Sequence, residues 1–177
     1  ILGFINKYVK EIKENSAAMF IGAGFSKSAG YVDWKNLLRG IAEELGLDVD
    51  KEDDLVSLAQ YYCNKNDNRS GINDVIFEEF NKEKKVDENH RIIARLPIST
   101  YWTTNYDSLI EDALSEAKKI VDVKYNNKQL SLRKPRRDAI VYKMHGDKSN
   151  PDEAILIKED YEKYYRDHAQ FVTALSG

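Results

Sequence analysis

The stretch Ala17-Ala18-Met19-Phe20-Ile21-Gly22-Ala23-Gly24-Phe25-Ser26 passes directly from an apolar run into a glycine-rich turn. The apolar residues 17–21 predict a buried strand. Gly22 and Gly24 would let the chain turn sharply and let a ligand approach the backbone closely. The free N–H groups of such a loop favour an anion such as pyrophosphate. Taken alone, Gly-x-Gly supports a plain strand-to-helix turn about as well.

Two later segments also place polar side chains directly after runs that favour strands. Thr103-Thr104-Asn105-Tyr106-Asp107 follows the β-prone residues 98–103, and His145-Gly146-Asp147 follows the apolar residues 139–144. All three segments would therefore lie just beyond the C-terminal ends of strands, where open α/β sheets bind ligands. In combination, they predict a site that cleaves a nucleotide.

Each polar side chain in these segments has a chemical and a purely structural interpretation. The Asn105 amide can hold a water or a sugar hydroxyl by donating and accepting at once, or it can simply shape a turn. The Asp107 carboxylate can orient that arrangement, although for this residue alone capping the next helix is the stronger interpretation. A neutral His145 imidazole can accept a proton from a ribose hydroxyl or water near pH 7, or form a hydrogen bond within its loop.

The remaining pattern predicts an α/β fold in which strands alternate with helices. Asp33 is placed to cap the second helix and Gly46 to end it. The alternation predicts a Rossmann-like, three-layer parallel sheet flanked by helices. Predicted strands are 17–21, 98–103, 120–125, 139–144 and a short 154–157; predicted helices lie within 1–12, 33–45, 55–62, 75–80, 92–96, 109–114 and 161–175, with a polar loop at 64–71.

Composition narrows the classes of partner. The 177 residues suit one domain, and 27 Lys and Arg against 30 Asp and Glu leave a net charge of −3. That balance provides no attractive field for nucleic acid or an anionic membrane, and the longest apolar run is too short to span a bilayer. We therefore predict neither nucleic acid nor membrane as a partner.

Cysteine and histidine usage predicts no metal site. Cys63 is the only cysteine, so neither an internal disulfide nor a cysteine-based zinc cluster can form, which fits a reducing cytoplasm. No His, Asp or Glu pair has metal-ligand spacing. His90 and His168 read as hydrogen-bonded residues in charged helical surroundings. The basic run 133–137 reads as a solvated loop rather than a phosphate site.

Three motifs in one order carry a family resemblance. With Gly-Ala-Gly-x-Ser, Thr-Asn-Tyr-Asp and Lys-x-His-Gly-Asp, the chain resembles the Sir2 (sirtuin) superfamily. Within it, the chain is most similar to the Sir2-like NAD-hydrolysing domains of bacterial anti-phage systems, with the Thoeris effectors as the nearest group. The supporting stretches are Phe20–Trp34, Leu55–Asn64, Asn89–Asp107, Ala139–Asp147 and Ala154–Tyr164.

The resemblance implies an NAD+ glycohydrolase that cleaves NAD+ to nicotinamide and ADP-ribose, with NAD+ as substrate and no cofactor. It implies Asn105 as a catalytic residue that also holds the nicotinamide ribose, and His145 as the catalytic base. The residues implied to bind NAD+ are Gly22, Ala23, Gly24, Ser26, Asp33, Thr104 and Asp107.

Two departures from the deacylating sirtuins favour simple hydrolysis. Those enzymes carry a four-cysteine zinc module, and they carry Gly-Ile-Pro-Asp-Phe-Arg where this chain has Gly30-Tyr31-Val32-Asp33-Trp34. A sirtuin-like ADP-ribosyltransferase or deacylase and a non-catalytic nucleotide-sensing or assembly module remain as alternatives. A dehydrogenase is disfavoured because Lys27 occupies the third glycine position of its fingerprint.

The resemblance also bears on the whole protein. We expect residues 1–177 to form one Sir2-like domain, truncated at its C-terminus and belonging to a longer chain. The resemblance implies a C-terminal sensor domain that responds to a cyclic ADP-ribose type of signal. It further implies a homo-oligomeric, cytoplasmic protein that depletes NAD+ during anti-phage defence.

Overall fold

A four-stranded parallel sheet forms the centre of the molecule in the computed structural model, which describes residues 2–176. The strands are β1 (Ala18–Ile21), β2 (Thr100–Thr103), β3 (Val121–Lys124) and β4 (Ala139–Lys143), in the order β1-β2-β4-β3. Helices flank this sheet. The predicted α/β, Rossmann-like class is therefore confirmed.

Short helices connect and cover the strands. Two 3₁₀ turns, Val49–Lys51 and Pro151–Glu153, add to them. The α-helices are α1 (Leu2–Lys13), α2 (Ala23–Lys27), α3 (Trp34–Leu37), α4 (Arg39–Glu44), α5 (Leu55–Asn66), α6 (Ser70–Phe80), α7 (Glu88–Arg95), α8 (Leu109–Glu116), α9 (Asn127–Ser131), α10 (Lys158–Asp167) and α11 (Ala169–Ser176). Among residues 2–176, none of these helices is long and apolar enough to cross a membrane.

The register of the sheet brings three strand ends to one level. Ile21 pairs with Thr103, and Thr103 pairs with Lys143. The middle residues of the two inner strands, Tyr101 and Val141, are fully buried, as expected where helices cover both faces of a parallel sheet. The loops that follow β1, β2 and β4 therefore start side by side at the carboxyl edge of the sheet.

Several predicted boundaries need correction. The predicted helix 33–45 is two helices, because Leu38 leaves helical geometry with ψ of 2°. The predicted loop 64–71 shrinks to residues 67–69, since α5 continues until Asp67 adopts a left-handed φ of 52°. The predicted helix 161–175 divides at His168. The predicted first helix is present as α1, but Ile1 lies outside the described residues.

The predicted strand 154–157 is wrong. These four residues are buried, but their backbone does not join the sheet. Ile155 N donates instead to the His145 carbonyl at 2.9 Å, and the Arg69 guanidinium donates to the Ala154 carbonyl. The apolar pattern therefore predicted the burial of this segment correctly. It did not predict that the backbone would bond to a loop and a side chain instead of a neighbouring strand.

Candidate functional site

The first two polar segments meet in a cleft at the carboxyl edge of the sheet. Asn105 Nδ2 donates to Ser26 Oγ at 2.9 Å, so the loop after β2 is bonded to the short helix α2 that follows β1. Asn105 N donates to Thr103 Oγ1 at 3.0 Å, which folds the turn tightly against the end of β2. Both Ser26 and Asn105 are buried. The predicted grouping of these two segments is thus present in the structure.

Two acceptor oxygens in this cleft are buried without a partner. Neither Asn105 Oδ1 nor Asp107 Oδ2 makes a hydrogen bond to any atom of residues 2–176. The other Asp107 oxygen, Oδ1, accepts from Leu109 N at 3.0 Å, so Asp107 does bond the first residue of α8 as predicted, although the N-cap position itself is Ser108. A buried acceptor without a donor costs about 1–3 kcal/mol, so each of these two oxygens has an unmet demand for an N–H or O–H donor.

The rest of the cleft is largely aromatic and aliphatic. Such a surface excludes water and suits the flat face of a ring. Tyr31 is one of the lining residues and its hydroxyl donates to the Lys82 carbonyl at 3.3 Å; burial, reinforced by the Asp107 carboxylate, raises the pKa of Tyr31 to about 12. The lining residues are Ala23, Ser26, Tyr31, Val32, Trp34, Leu37, Phe80, Thr104, Asn105, Tyr106 and Asp107.

The glycine loop and Asp33 lie around this cleft rather than within it. Gly22 and Gly24 are exposed beside it. Asp33 accepts from Asn36 N at 2.9 Å, as predicted for a helix cap, and pairs with Lys27 Nζ at 2.9 Å. Its two carboxylate oxygens are therefore engaged. The implied contacts of these residues with NAD+ stay predictions.

His145 lines a different cleft at the same edge. It comes two residues after Lys143, as Asn105 comes two residues after the paired Thr103. Its ring packs edge-on against Tyr161 and Tyr164, with centroids 5.4 and 6.4 Å away. Burial, reinforced by His168, lowers the pKa of His145 to about 4, so the imidazole is neutral at pH 7. Its catalytic role stays a prediction.

Sequence reasoning counted Lys143 in the Lys-x-His-Gly-Asp motif but gave no role to this residue, which joins the two groups of loops. Although it ends β4, its side chain is fully buried, and Nζ donates to the Tyr106 and Asp107 carbonyls at 3.0 and 2.6 Å. It also pairs with Asp147 and with Glu111. The available signal was a lysine inside the apolar run 139–144, because a charged side chain at a buried strand position requires dedicated partners.

The other titratable side chains considered in the sequence, His90, His168 and Cys63, pack against neighbouring residues. His90 is fully buried and contacts Asp87 through Nδ1 at 2.6 Å, and His168 stacks on Tyr164. Cys63 is buried, and burial raises the pKa of its thiol, as expected for a structural cysteine. Across residues 2–176, no group of three or more His, Cys, Asp and Glu side chains is arranged to hold a metal ion.

Comparison with known proteins identifies the family. Over 175 residues, the chain is 60% identical to the protein named NAD(+) hydrolase ThsA from Bacillus cereus (strain MSX-D12), and the match covers 98% of this chain. The family described as SIR2-like domain matches residues 99–177, which include the segments after β2 and β4. Residues 99–177 belong to the SIR2-like domain family. The resemblance seen in the sequence motifs is confirmed.

Two further relatives carry the same name. The NAD(+) hydrolase ThsA of Acinetobacter baumannii (strain 532279) is 55% identical over 173 residues, and that of Enterococcus faecium is 49% identical over 175 residues. Each match covers 98% of this chain but only 36% and 37% of those proteins; for the Bacillus cereus relative the share is 37%. The chain therefore spans little more than a third of the length of these relatives.

Proposed function

We propose that the protein containing this Sir2-like domain is an NAD+ glycohydrolase that cleaves NAD+ into nicotinamide and ADP-ribose. The proposal is carried by two buried acceptor oxygens, Asn105 Oδ1 and Asp107 Oδ2, which have no donor among residues 2–176. Ribose hydroxyls are donors of the matching kind, and the apolar lining suits the planar nicotinamide ring. The relatives named NAD(+) hydrolase ThsA, which are 49–60% identical to this chain, support the same substrate.

The reaction requires two things of the protein, which are the orientation of NAD+ and a proton acceptor. The bond between ribose C1′ and nicotinamide N1 breaks, and its electron pair neutralises the cationic ring, so no general acid is required. The sugar passes through an oxocarbenium-like state, as in glycoside cleavage. A water oxygen then bonds to C1′ and releases a proton. The product is ADP-ribose with a hydroxyl on C1′.

In this proposal the described residues divide the work between the two clefts. Ser26 holds the Asn105 amide, while Asn105 and Asp107 accept hydrogen bonds from the nicotinamide ribose. The proposed proton acceptor is His145, which is neutral at pH 7 although burial makes its imidazole a weak base. Because β2 and β4 are neighbours and strands lie about 4.8 Å apart, one substrate lying along this edge can meet both loops.

The biological setting belongs to the same proposal. NAD+ depletion would stop an infected bacterial cell, which fits a Thoeris-type anti-phage effector acting in the cytoplasm. Such an activity must stay off in healthy cells. We therefore propose that a C-terminal sensor domain of the full-length protein detects a cyclic ADP-ribose type of signal and that the active form is a homo-oligomer.

The proposal is tested by nicotinamide release from the full-length protein. Wild type, Asn105→Ala and the matched control Asn89→Ala are incubated with NAD+, with and without candidate cyclic nucleotide signals, and products are separated by chromatography. Asn89 is an exposed asparagine on α7 and serves as a neutral comparison. We expect Asn105→Ala to lose at least about 100-fold in rate, because the substrate loses its orientation, while Asn89→Ala keeps wild-type activity.

One observation favours a second candidate, a nucleotide-sensing module without turnover. His145 lines the cleft of Tyr161 and Tyr164, and not the cleft that holds Asn105. A site with ribose acceptors but without a nearby base would bind a nucleotide and leave it intact. NAD+ binding without nicotinamide release under every condition would favour this candidate and refute the hydrolase.

A further inference from the structure

The buried Lys143 ammonium is the meeting point of the two loops that carry the proposed catalytic groups. Its Nζ donates to the carbonyls of Tyr106 and Asp107 in the loop after β2. It also pairs with Asp147 in the loop after β4, and with Glu111 on α8 at 3.0 Å. One cation therefore contacts residues next to Asn105 and residues next to His145.

Further hydrogen bonds link the same two loops. Lys148 N donates to the Tyr106 carbonyl at 3.1 Å, so the same carbonyl joins the two loops a second time. The other Asp147 oxygen, Oδ1, accepts from Ser149 N at 2.9 Å and shapes the turn after His145. Loss of the Lys143 cation would remove its contacts to both turns at once and leave only these weaker links between them.

The carboxylates around Lys143 favour its protonated, positively charged form. Burial opposes the charged form of Lys143, but the Glu111 and Asp147 carboxylates outweigh it and raise its pKa above the usual value. Burial likewise works against the Asp147 charge, yet Lys143 lowers the pKa of that carboxyl. A buried ion pair of this kind often contributes little net stability compared with a neutral core of the same shape. Its presence at the site edge is better explained by what it positions.

We propose that Lys143 is a positioning residue, which fixes the Asn105–Asp107 turn and the His145–Asp147 turn relative to each other. The inference rests on the proposed NAD+ hydrolysis for its kinetic consequence. The ammonium itself touches backbone carbonyls and carboxylates on the inner side of the loops. It therefore acts on the substrate only through the residues that it holds.

The sheet also offers a matched control. Lys124 is a second buried lysine, it also ends a strand, and it pairs with Asp122 at 2.7 Å. It donates to the Leu132 carbonyl, away from the two loops. Replacing Lys124 by Met removes a buried cation of the same kind without touching the Asn105 or His145 turns.

The test compares Lys143→Met, the neutral triple variant Lys143→Met/Glu111→Gln/Asp147→Asn, and Lys124→Met in the full-length protein. The triple variant removes the buried charges together, so that no uncompensated carboxylate remains to unfold the domain. We expect its kcat for NAD+ to fall about 100-fold, with KM changed less than about tenfold. The reason is that a shift of the loops by up to about 1 Å is enough to misalign the reacting groups. Lys124→Met should keep the wild-type kcat.

Amide hydrogen exchange gives a readout that does not need turnover. The Leu109 and Lys148 amides donate into the Asn105–Asp107 turn and should exchange at least about tenfold faster in the Lys143 variants than in Lys124→Met. A triple variant with wild-type kcat and unchanged exchange would overturn the positioning role. If wild type itself releases no nicotinamide, the proposed function fails, and the exchange rates alone decide the role of Lys143.

Discussion

Replacing Gly24 by Ala should separate the stability of the protein from its ability to bind NAD+. Gly24 is the second residue of α2, is exposed, and an added Cβ there meets no other described atom within 4 Å. Ala is about 1 kcal/mol better than Gly inside a helix. At a helix start we expect a gain of about half that value, so Gly24→Ala should unfold at a higher urea concentration.

The same substitution should weaken binding if the glycine loop lets the pyrophosphate approach its backbone. The new methyl group would occupy the space in which a phosphate oxygen meets the N–H groups. We expect at least about a tenfold rise in Kd, equal to about 1.4 kcal/mol. Isothermal titration of NAD+ in an Asn105→Ala background measures this, since the substrate is then not consumed.

Gly40→Ala provides the control for this experiment. Gly40 is also the second residue of a short helix, α4, is also exposed, and also meets none of the described atoms within 4 Å of an added Cβ. It should give the same small gain in stability and leave the NAD+ affinity unchanged. Equal affinities for Gly24→Ala and Gly40→Ala would refute the close approach of NAD+ to the glycine loop.

Three further predictions concern the turn after β4 and the absence of metal chemistry. Gly146→Ala should lower the free energy of unfolding by about 3 kcal/mol, because φ is +96° and the new Cβ would lie 3.1 Å from the Ala154 Cα; a urea titration that shows a loss below about 1 kcal/mol would contradict this. The His145 contribution to stability should be full above about pH 6.5 and be lost towards pH 4, since the unfolded chain takes up a proton on this imidazole that the folded chain resists; His145→Gln should reduce the fall by up to about 3 kcal/mol and leave the part due to His168, whose pKa burial also lowers. EDTA should leave nicotinamide release unchanged, and inactivation that added metal reverses would overturn the metal-free mechanism.

The local pattern of the sequence was enough for the elements and for the placement of the motifs. Apolar runs and helical spacing depend on neighbours a few residues apart, so they report strands and helices without knowledge of the fold. The strands β1, β2, β3 and β4 all lie where they were predicted. Because parallel strands end at one edge, the prediction that Asn105 and Ser26 share a site also followed from the sequence alone.

Contacts between distant segments were decided only by the tertiary structure. The apolar segment 154–157 was mistaken for a strand, since burial alone does not say which groups satisfy a backbone. The separate clefts of Asn105 and His145, and the unpartnered oxygens of the first, depend on side-chain directions at the loop ends. Lys143 reaches the Tyr106 carbonyl across 37 residues of chain, a contact that exists only because β2 and β4 pair in register. Local periodicity carries no information about that pairing, which is set by the packing of the whole domain.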